Sequence, residues 1–488
     1  MIQISAFLPE LWLVCTAMLI LVVELFLKPQ SSRSIHNVLA TLGTLGALFS
    51  LLCLSGTCLF SACQAPETPQ AFGGFLRSDG LALFFKMVII LGTLLTLLIS
   101  FRYFKSRSTH YPAEFLAVLL FSAAGASALA SAQEIITLYV SLETLTISSY
   151  LLASFMKKDK GSNEAGMKYL LLGAFSSALL LFGLSYIYGL TGTTLIAGIA
   201  KSLSTQTTSP MLVLALILVI AGLGFKISIA PFHMWTPDVY EGAPTPVTAF
   251  LSVVSKTAGF AAFIRIFWVG LSSLSATPIW VGLFAVLAVM SIVLGNLEAI
   301  PQKNIKRMMA YSSIAQAGYI STGFLAGGPM GLTAVLFYLF VYLFANLGTF
   351  LAIVIVAHKT GSEQIEDYAG MWKRSPLIGV VLLVCLLSLA GVPPFAGFSG
   401  KWYLFGAAVH MGYTWLALVG MVFSVISLFY YLQVVRQALI SEAKDASPID
   451  MTLLERSVLI LCVVITVTLG FWPTPIMNLA QAAANSLF

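Results

Sequence analysis

Three ionisable side chains interrupt long apolar runs of this chain, where an unpaired charge is costly. Glu143 lies in ITLYVSLETLTISSYLL, Lys226 in GLGFKISIAPFHMWTP and Lys256 in FLSVVSKTAGFAAF. Glu143 is about nine residues from either end of its run, which at about 1.5 Å per residue is too deep for easy snorkelling. Buried amines and carboxylates can bind and release protons, so the pattern indicates proton transfer. The alternative for Glu143 is a structural hydrogen bond to a neighbouring helix.

Lys226 and Glu143 are our first choice for a coupled pair, the alternative being a purely structural Lys226. Burial disfavours the charged form of a lysine and a nearby carboxylate favours it again, so moving one charge changes the proton affinity of the other. His233 follows Lys226 by seven residues. If the helix continued past Pro231, the two would share a face about 10 Å apart, and the histidine could relay protons near neutral pH. The alternative for His233 is a loop position at the cytoplasmic rim.

Further basic residues lie at or near the ends of apolar runs. Lys401 follows the interruption LAGVPPFAGFSG, and we expect it to form the outward end of a proton path. Lys306 and Arg307 begin one run and Lys168 lies a few residues into another, so snorkelling is the alternative for these three. Lys86 is predicted to snorkel at the outer end of its run.

The composition indicates a membrane protein. Of 488 residues, 59% are hydrophobic and only 9% are charged, and the mean hydropathy is +0.96. A soluble chain of this length could not cover its surface with so few charges. The apolar runs are long rather than alternating, which predicts an all-α protein and not a barrel. The formal charge of +6 does not indicate a nucleic-acid partner, because no basic stripe alternates with aromatic residues.

Apolar runs of about 20 residues predict about fourteen transmembrane helices (TM1 to TM14). Their predicted bounds are 8–27, 37–57, 80–101, 114–132, 134–156, 165–189, 210–232, 245–269, 278–298, 304–325, 330–356, 375–395 continuing to 410 after a break, 413–439 and 452–472. The lysines and arginines concentrate in alternate loops, a bias that marks the cytoplasmic side. It predicts that both termini are outside, periplasmic in a bacterial inner membrane. The loop 233–244, with Asp238 and Glu241 but no lysine or arginine, is an exception.

Two predicted spans are interrupted by proline and glycine, which weaken a helix. Pro231 interrupts TM7, and Pro393 and Pro394 with nearby glycines interrupt TM12. Interruptions five spans apart predict two inverted five-helix repeats, about TM4–8 and TM9–13, with working sites at the breaks. Residues 1–488 are predicted to form a single polytopic membrane domain with its core at about 114–439.

No cofactor or metal site is predicted in this chain. Its six cysteines form no CxxC pair and have no suitable histidine partners, so the chain is not expected to carry electrons. Cys58 and Cys63 share a loop and could form a disulfide; the alternative is two small apolar residues near a membrane face. The chain also lacks phosphate-binding glycine motifs in their strand–helix context.

Three segments carry a family resemblance. GLGFKISIAPFHMWTPDVYEGAPTPVTAFLSVVSK (222–256), GNLEAIPQKNIKRMMAYSSIAQAGYI (295–320) and SLAGVPPFAGFSGKWYLF (388–405) resemble the subunit N family of bacterial proton-pumping NADH:quinone oxidoreductase, the respiratory complex I. With the fourteen-span plan, the resemblance covers nearly the whole chain. The wider family includes subunits L and M and the multi-subunit sodium/proton antiporters, and FHMWTPDVYEGAP fits the N type better.

The resemblance implies roles for the buried residues. Glu143 would tune Lys226, Lys256 would connect the two halves, and Lys401 would serve the outward half. Lys168 and Lys306 also match lysine positions of relatives, whereas Gln316 replaces a histidine that some relatives carry. The implied partners are other antiporter-like and small membrane subunits, with FMN, iron–sulfur clusters and quinone in partner subunits. The isolated chain would not be catalytic.

Two other functions stay open at this stage. One is a cation/proton antiporter subunit without redox partners, which neighbouring genes would reveal. The other is an anchor of the membrane arm whose lysines are relics. The electron donor is also open, because photosynthetic homologues that accept electrons from ferredoxin have a very similar subunit.

Overall fold

The computed structural model describes residues 4–27, 34–58, 69–106, 112–204, 209–272, 278–443 and 447–487. Cys63 and the side chain of Cys58, considered above as a disulfide pair, lie outside this described part. The fold is built almost entirely from helices, as predicted. A two-residue hairpin, β1 (Gln70–Ala71) with β2 (Leu76–Arg77), pairs Gln70 with Arg77 and Ala71 with Leu76.

The helices follow one another along the chain with short connections. The first ten are α1 (Leu8–Phe26), α2 (Ser34–Cys58), α3 (Gly80–Ser106), α4 (Pro112–Ser131), α5 (Ile135–Ala153), α6 (Lys160–Thr191), α7 (Ile196–Leu203), α8 (Pro210–Ile227), α9 (Trp235–Gly242) and α10 (Thr245–Phe250). The next ten are α11 (Lys256–Phe263), α12 (Pro278–Ala299), α13 (Ile305–Ala326), α14 (Gly328–Thr360), α15 (Met371–Arg374), α16 (Pro376–Ala390), α17 (Ala396–His410), α18 (Thr414–Leu439), α19 (Leu453–Phe471) and α20 (Thr474–Asn485). Two π-helical segments, Leu251–Ser255 and Ile264–Gly270, flank α11.

Within the described residues, twelve segments are long and apolar enough to cross a membrane. The remaining two predicted spans are α13, which is long enough but too polar to be counted, and the pair α16–α17. Together these segments account for the fourteen predicted spans. We call the face at which α1, α3 and α5 end the inner face, and the opposite one the outer face.

The two predicted interruptions are confirmed, with altered bounds. The seventh span ends as α8 at Ile227, because Ser228 takes a left-handed conformation with φ 62°. The twelfth divides between α16, which ends at Ala390, and α17, and Gly391 at φ 86° terminates α16. The inverted five-helix layout stays a prediction.

Local sequence explains several helix ends. Ser209 accepts a hydrogen bond from the Leu212 amide at the start of α8, and Asn304 caps α13 through the amides of Lys306 and Arg307. Thr452 and Glu455 form a capping box at the start of α19. These side chains satisfy amides that the first helical turn leaves without partners.

The eighth span and α14 form the centre of the bundle. Their most apolar stretches, within Thr245–Gly270 and Gly328–Thr360, are completely buried by surrounding helices. By contrast, fewer than half of the corresponding residues of α6, α18 and α19 are buried. A buried polar side chain on the central helices must therefore find its partners inside the protein.

Candidate proton-transfer site

Lys226 lies at the end of α8, where the helix breaks. Its side chain is 3% exposed, and Nζ donates a 2.8 Å hydrogen bond to Oγ1 of Thr146 on α5. The Nζ atom also lies 5.9 Å from the ring centroid of Tyr169 on α6. Thr146 follows Glu143 by one helical turn, so the two α5 side chains lie on one face.

Glu143 lies in the middle of α5, as its position in the apolar run predicts, and is half-buried within this chain. Its deeper burial in the assembled complex stays a prediction. Its Oε1 accepts a 2.5 Å hydrogen bond from Ser177 on α6. The charge of Glu143 acts electrostatically on Lys226, with Thr146 lying nearer to the amine. Thr146, one helical turn from Glu143, thus supplies the hydroxyl that holds the Lys226 amine.

Lys256 begins α11 directly after the first π-helical segment. It is 1% exposed, and Nζ donates both to the backbone carbonyl of Ser313 and, at 2.7 Å, to the Ser313 hydroxyl on α13. The hydroxyls of Ser255 and Thr257, which flank Lys256 in the chain, make no hydrogen bond to its amine. The partner therefore comes from another span.

Lys226 and Lys256 lie on closely packed helices. A Cβ atom added to Gly259, one turn after Lys256, would come within 3.6 Å of Cγ of Lys226 and within 2.6 Å of Ile227. Glycine at this position lets α8 approach α11, so the Lys226 stem lies one helical turn from the Lys256 backbone.

A polar stripe on α13 extends from Lys256 toward Lys401. Ser313, Gln316 and Tyr319 are spaced by three residues and therefore share a helix face. The Gln316 amide donates to the Leu389 carbonyl at 2.9 Å, and its Oε1 accepts from the Tyr338 hydroxyl. All of these side chains are buried.

Lys401 lies on α17 beyond the second break. Its Nζ donates to the carbonyl of Ala390 at 3.0 Å and to the Ser424 hydroxyl at 2.9 Å, and it lies 4.3 Å above the Tyr319 ring. A Cβ atom at Gly391 would meet Cδ of Lys401 at 2.8 Å. The break in span twelve thus supplies space for the lysine and the Ala390 carbonyl, which accepts from both Lys401 and Ser424.

His233 does not share a helix face with Lys226, because the helix ends at Ile227 and α9 begins only at Trp235. The expectation of a common face is therefore wrong. The His233 ring is half-buried in the connection between α8 and α9.

An inner cavity of about 630 Å³ opens at the inner face. Its lining includes Lys168, Asp238, Glu241, Lys306, Arg307 and Glu363. Asp238 accepts hydrogen bonds from Lys168 at 2.7 Å and from Arg307 at 2.9 Å.

The snorkelling alternatives have different outcomes. Lys168 is 41% exposed and pairs with Glu164 and Asp238 at the inner rim, as that alternative requires. Lys306 is only 3% exposed and pairs with Glu363 at 2.9 Å. The prediction that Lys86 snorkels is wrong, because Lys86 is fully buried and pairs with Glu10 on α1 at 2.8 Å. Glu10 lies 76 positions earlier in the chain, so the sequence around Lys86 gives no sign of this partner.

Sequence reasoning missed Thr146, Ser313 and Tyr319, which contact the three central lysines. One signal existed for α13: it is a 22-residue helix whose polar residues recur at helical spacing. Among the described residues, no group of three or more His, Cys, Asp or Glu side chains could hold a metal ion. The absence of a cofactor in this chain stays a prediction.

A bundle with two broken spans and buried lysines beside each break defines an antiporter-like membrane transport subunit. The profile of the family described as NADH:quinone oxidoreductase/Mrp antiporter, transmembrane, matches residues 132–427. The chain therefore belongs to this family.

The chain is 46% identical to an NADH-quinone oxidoreductase subunit N of Desulforamulus reducens over 413 residues, covering 85% of this chain and 86% of the relative. It is 43% identical to an NAD(P)H-quinone oxidoreductase subunit 2 of Thermosynechococcus vestitus over 488 residues, covering 98% and 92%. These two alignments show that the similarity extends far beyond the three motif segments.

Two solved structures show a similar fold. A chain of respiratory complex I from Thermus thermophilus with bound aureothin superimposes with a TM-score of 0.79 at 31% identity, covering 96% of this chain and 98% of that one. A chain of the Mrp complex from a Dietzia species gives a TM-score of 0.85 at 21% identity, covering 99% and 97%. The second likeness concerns the fold alone.

Proposed function

We propose that this chain is a proton-translocating membrane-arm subunit of an NADH:quinone oxidoreductase, in which quinone reduction elsewhere in the complex drives protons through buried lysines. The observation that carries the proposal is the line of Lys226, Lys256 and Lys401, each buried and hydrogen-bonded to a polar group of a different span. The chain acts as one subunit of a hetero-oligomeric translocase, and it is not catalytic alone.

In the proposed cycle, a change in the charge or position of Glu143 alters the proton affinity of Lys226. A unit charge moved by a few ångströms in a site with an effective dielectric constant of about 20 changes the interaction by roughly 2 to 4 kcal/mol. That energy corresponds to about a 30- to 1000-fold change in proton affinity, which is enough to load or unload the amine.

The change in charge at Lys226, whose helix contacts that of Lys256, then pushes a proton from Lys256 along the α13 stripe to Lys401. Gln316 has no ionisable group, so it can only orient neighbouring hydroxyls and water. Lys401 releases the proton to the outer face. The carbonyl of Ala390 and the Ser424 hydroxyl hold its ammonium form in the meantime.

The test measures proton pumping against electron transfer in membrane vesicles carrying Lys226→Ala or Glu143→Ala complexes. We expect the ratio of protons to electrons to fall in both. Lys201→Ala is the matched control, because Lys201 is exposed on the short helix α7. Unchanged pumping per electron in both test variants would contradict the proposal and favour the anchor function.

A cation/proton antiporter subunit without redox partners is the weaker alternative. It is supported by fold likeness at 21% identity, against 43–46% identity to quinone oxidoreductase subunits. Sodium/proton exchange by the purified assembly in the absence of any electron donor would favour it.

Membership of such a complex implies a multi-pass protein of the bacterial inner membrane, with FMN, iron–sulfur clusters and quinone in partner subunits. We also propose that both termini are periplasmic. The segment Ile4–Phe7 and the end of α20 both contact the start of α3, through Ser78 with Ala6 and Leu81 with Ser486, which supports one common face for them. Labelling of single cysteines at residues 2 and 487 from outside intact spheroplasts tests this orientation.

A further inference from the structure

The inner cavity carries an excess of negative charge. Its lining has five carboxylates and three cations. The carboxylates belong to Asp159, Glu164, Asp238, Glu241 and Glu363, and the cations to Lys168, Lys306 and Arg307. A concave site with net negative charge attracts cations, including hydronium, and raises their local concentration.

Ion pairs in the lining of this cavity join α9 to α13. Arg307 donates to Asp238 at 2.9 Å and to Glu241 at 2.8 Å, which ties α13 to α9. Lys306 donates to the carbonyl of Ala243 at 3.0 Å and to Glu363 at 2.9 Å. These contacts hold α9 against the helix that carries Ser313.

Tyr240 lies between Asp238 and Glu241 in the sequence of α9. Its side chain, like that of Val239, is fully buried. Its hydroxyl lies 3.3 Å from the Ser313 hydroxyl, which in turn lies 2.7 Å from Nζ of Lys256. Tyr240 thus connects the helix that lines the cavity with the central lysine.

We propose that Tyr240 and Ser313 form the uptake relay through which Lys256 is reprotonated from the inner cavity. The inference rests on the proposed function. When the Arg307 ion pairs separate, water reaches the Tyr240 hydroxyl between α9 and α13. A hydronium ion gives its proton to the Tyr240 oxygen, the Tyr240 proton moves to the Ser313 oxygen, and the Ser313 proton moves to the neutral Lys256 amine.

This step leaves water, two neutral hydroxyls and one ammonium group, so charge and protons balance. Two groups of residues then have different roles in the proposed path. Glu143 and Lys226 set when the proton moves, whereas Tyr240 and Ser313 determine how fast Lys256 is refilled. The relay hydroxyls do not titrate themselves at any stage.

The experiment uses the assembled complex with Tyr240→Phe, which keeps the ring and its packing against Trp235. We expect proton pumping per electron to fall roughly tenfold or more, the effect typical of losing a proton-transfer group. Tyr368→Phe is the matched control, because the Tyr368 hydroxyl is buried near the inner face without a hydrogen-bond partner. Electron transfer to an artificial acceptor reports the amount of assembled complex.

Ser313→Ala is the second variant, because it removes the hydroxyl and retains the carbonyl that holds Lys256. We expect it to reduce pumping as Tyr240→Phe does, and the double variant to lose no more than either single one, since all act on one path. If both variants pump like Tyr368→Phe while Lys256→Ala does not pump, the relay is overturned and the proposed function stands. If Lys256→Ala also pumps normally, the proposed function fails as well.

Discussion

Gln316 is the uncharged member of the line that joins Lys256 with Lys401. Its amide donates to the Leu389 carbonyl and accepts from the Tyr338 hydroxyl, so both ends of the amide are fixed. Because this side chain is neutral and fixed, Lys256 and Lys401 can each be protonated independently of the other. Gln316 cannot store a proton between them.

Gln316→Leu should therefore impair both stability and transfer. The Leu389 carbonyl and the Tyr338 hydroxyl would lose buried partners, at a cost of about 1–3 kcal/mol each. We expect a lower melting temperature of the solubilised complex and fewer protons per electron. Gln302→Leu, just after α12, removes only the hydrogen bond to the Glu298 carbonyl and is the control; equal pumping in both variants would exclude Gln316 from the path.

Asp238 gives a pH-dependent prediction at the inner rim, in the short helix α9 outside the spans. Burial alone would raise the pKa of this carboxyl, but the hydrogen bonds from Lys168 and Arg307 outweigh it and lower the pKa below its ordinary value of 3.8. Because the folded-state pKa is the lower one, the stabilisation is complete above pH 3.8 and is lost as the pH falls further.

Hydrogen–deuterium exchange of α9 in wild-type and Asp238→Asn complexes tests this expectation. At pH 6 to 8 we expect faster exchange in the variant, because its amide is uncharged and has one acceptor oxygen where Asp238 offers a separate oxygen to Lys168 and to Arg307. The difference should shrink only below about pH 3.8. A difference that already disappears near pH 6 would mean that another group controls this rim.

Single residues show where sequence reasoning succeeds and where it ends. Lys226, Lys256 and Lys401 were predicted because an ionisable group in an apolar run is conspicuous. Their partners were not, because the Ser313 hydroxyl is 57 residues from Lys256 in sequence. The assigned proton-transfer roles remain predictions.

The eighth span is held at its outer end by a buried ion pair. Arg265, on the second π-helical segment, makes two 2.6 Å hydrogen bonds to Asp79 before α3 and also donates to the Ala130 carbonyl of α4. Both charged groups are buried. The pair fixes the helix that carries Lys256 relative to the two helices beside it.

Arg265→Ala should destabilise the protein strongly, because it leaves the Asp79 charge buried without its partner. We expect a loss of about 3–5 kcal/mol, measured as a lower unfolding midpoint. Arg102→Ala breaks the pair with Glu455, in which Arg102 is 20% exposed, and should cost less. The double variant Asp79→Asn/Arg265→Gln should recover part of the loss; no recovery would show that shape, not charge, matters there.

Helices were predictable to different degrees. Proline and glycine indicated both broken spans, because these residues weaken a helix interior. The π-helical segments Leu251–Ser255 and Ile264–Gly270 carried no such sign, since their residues fit an ordinary apolar helix. Their extra residue per turn depends on packing against other spans, which local sequence does not record.

Part of the surface of this chain must be covered by another subunit in the assembled complex. Glu143 is half-buried on the side where α5 and α6 expose Val140, Ile147 and Phe175. An ionised carboxylate facing lipid is costly. We therefore expect a partner subunit over this face in the complex.

Purification of the tagged chain from its native membrane in mild detergent, followed by mass spectrometry, tests the assembly. We expect flavin- and iron–sulfur-bearing subunits together with other antiporter-like subunits. An assembly of membrane proteins that lacks redox subunits would instead support the antiporter alternative.

The two π-helical segments on either side of α11 each take up more residues in a turn than an α-helix does. Deleting one residue from Leu251–Ser255 should therefore restore an α-helical turn and leave Lys256 facing Ser313 and Arg265 facing Asp79. The same deletion within the α-helical part, Lys256–Phe263, would instead rotate Arg265 away from Asp79 by about 100°. The π-helical segments are thus the places at which this span can change its length by one residue without turning the central lysine.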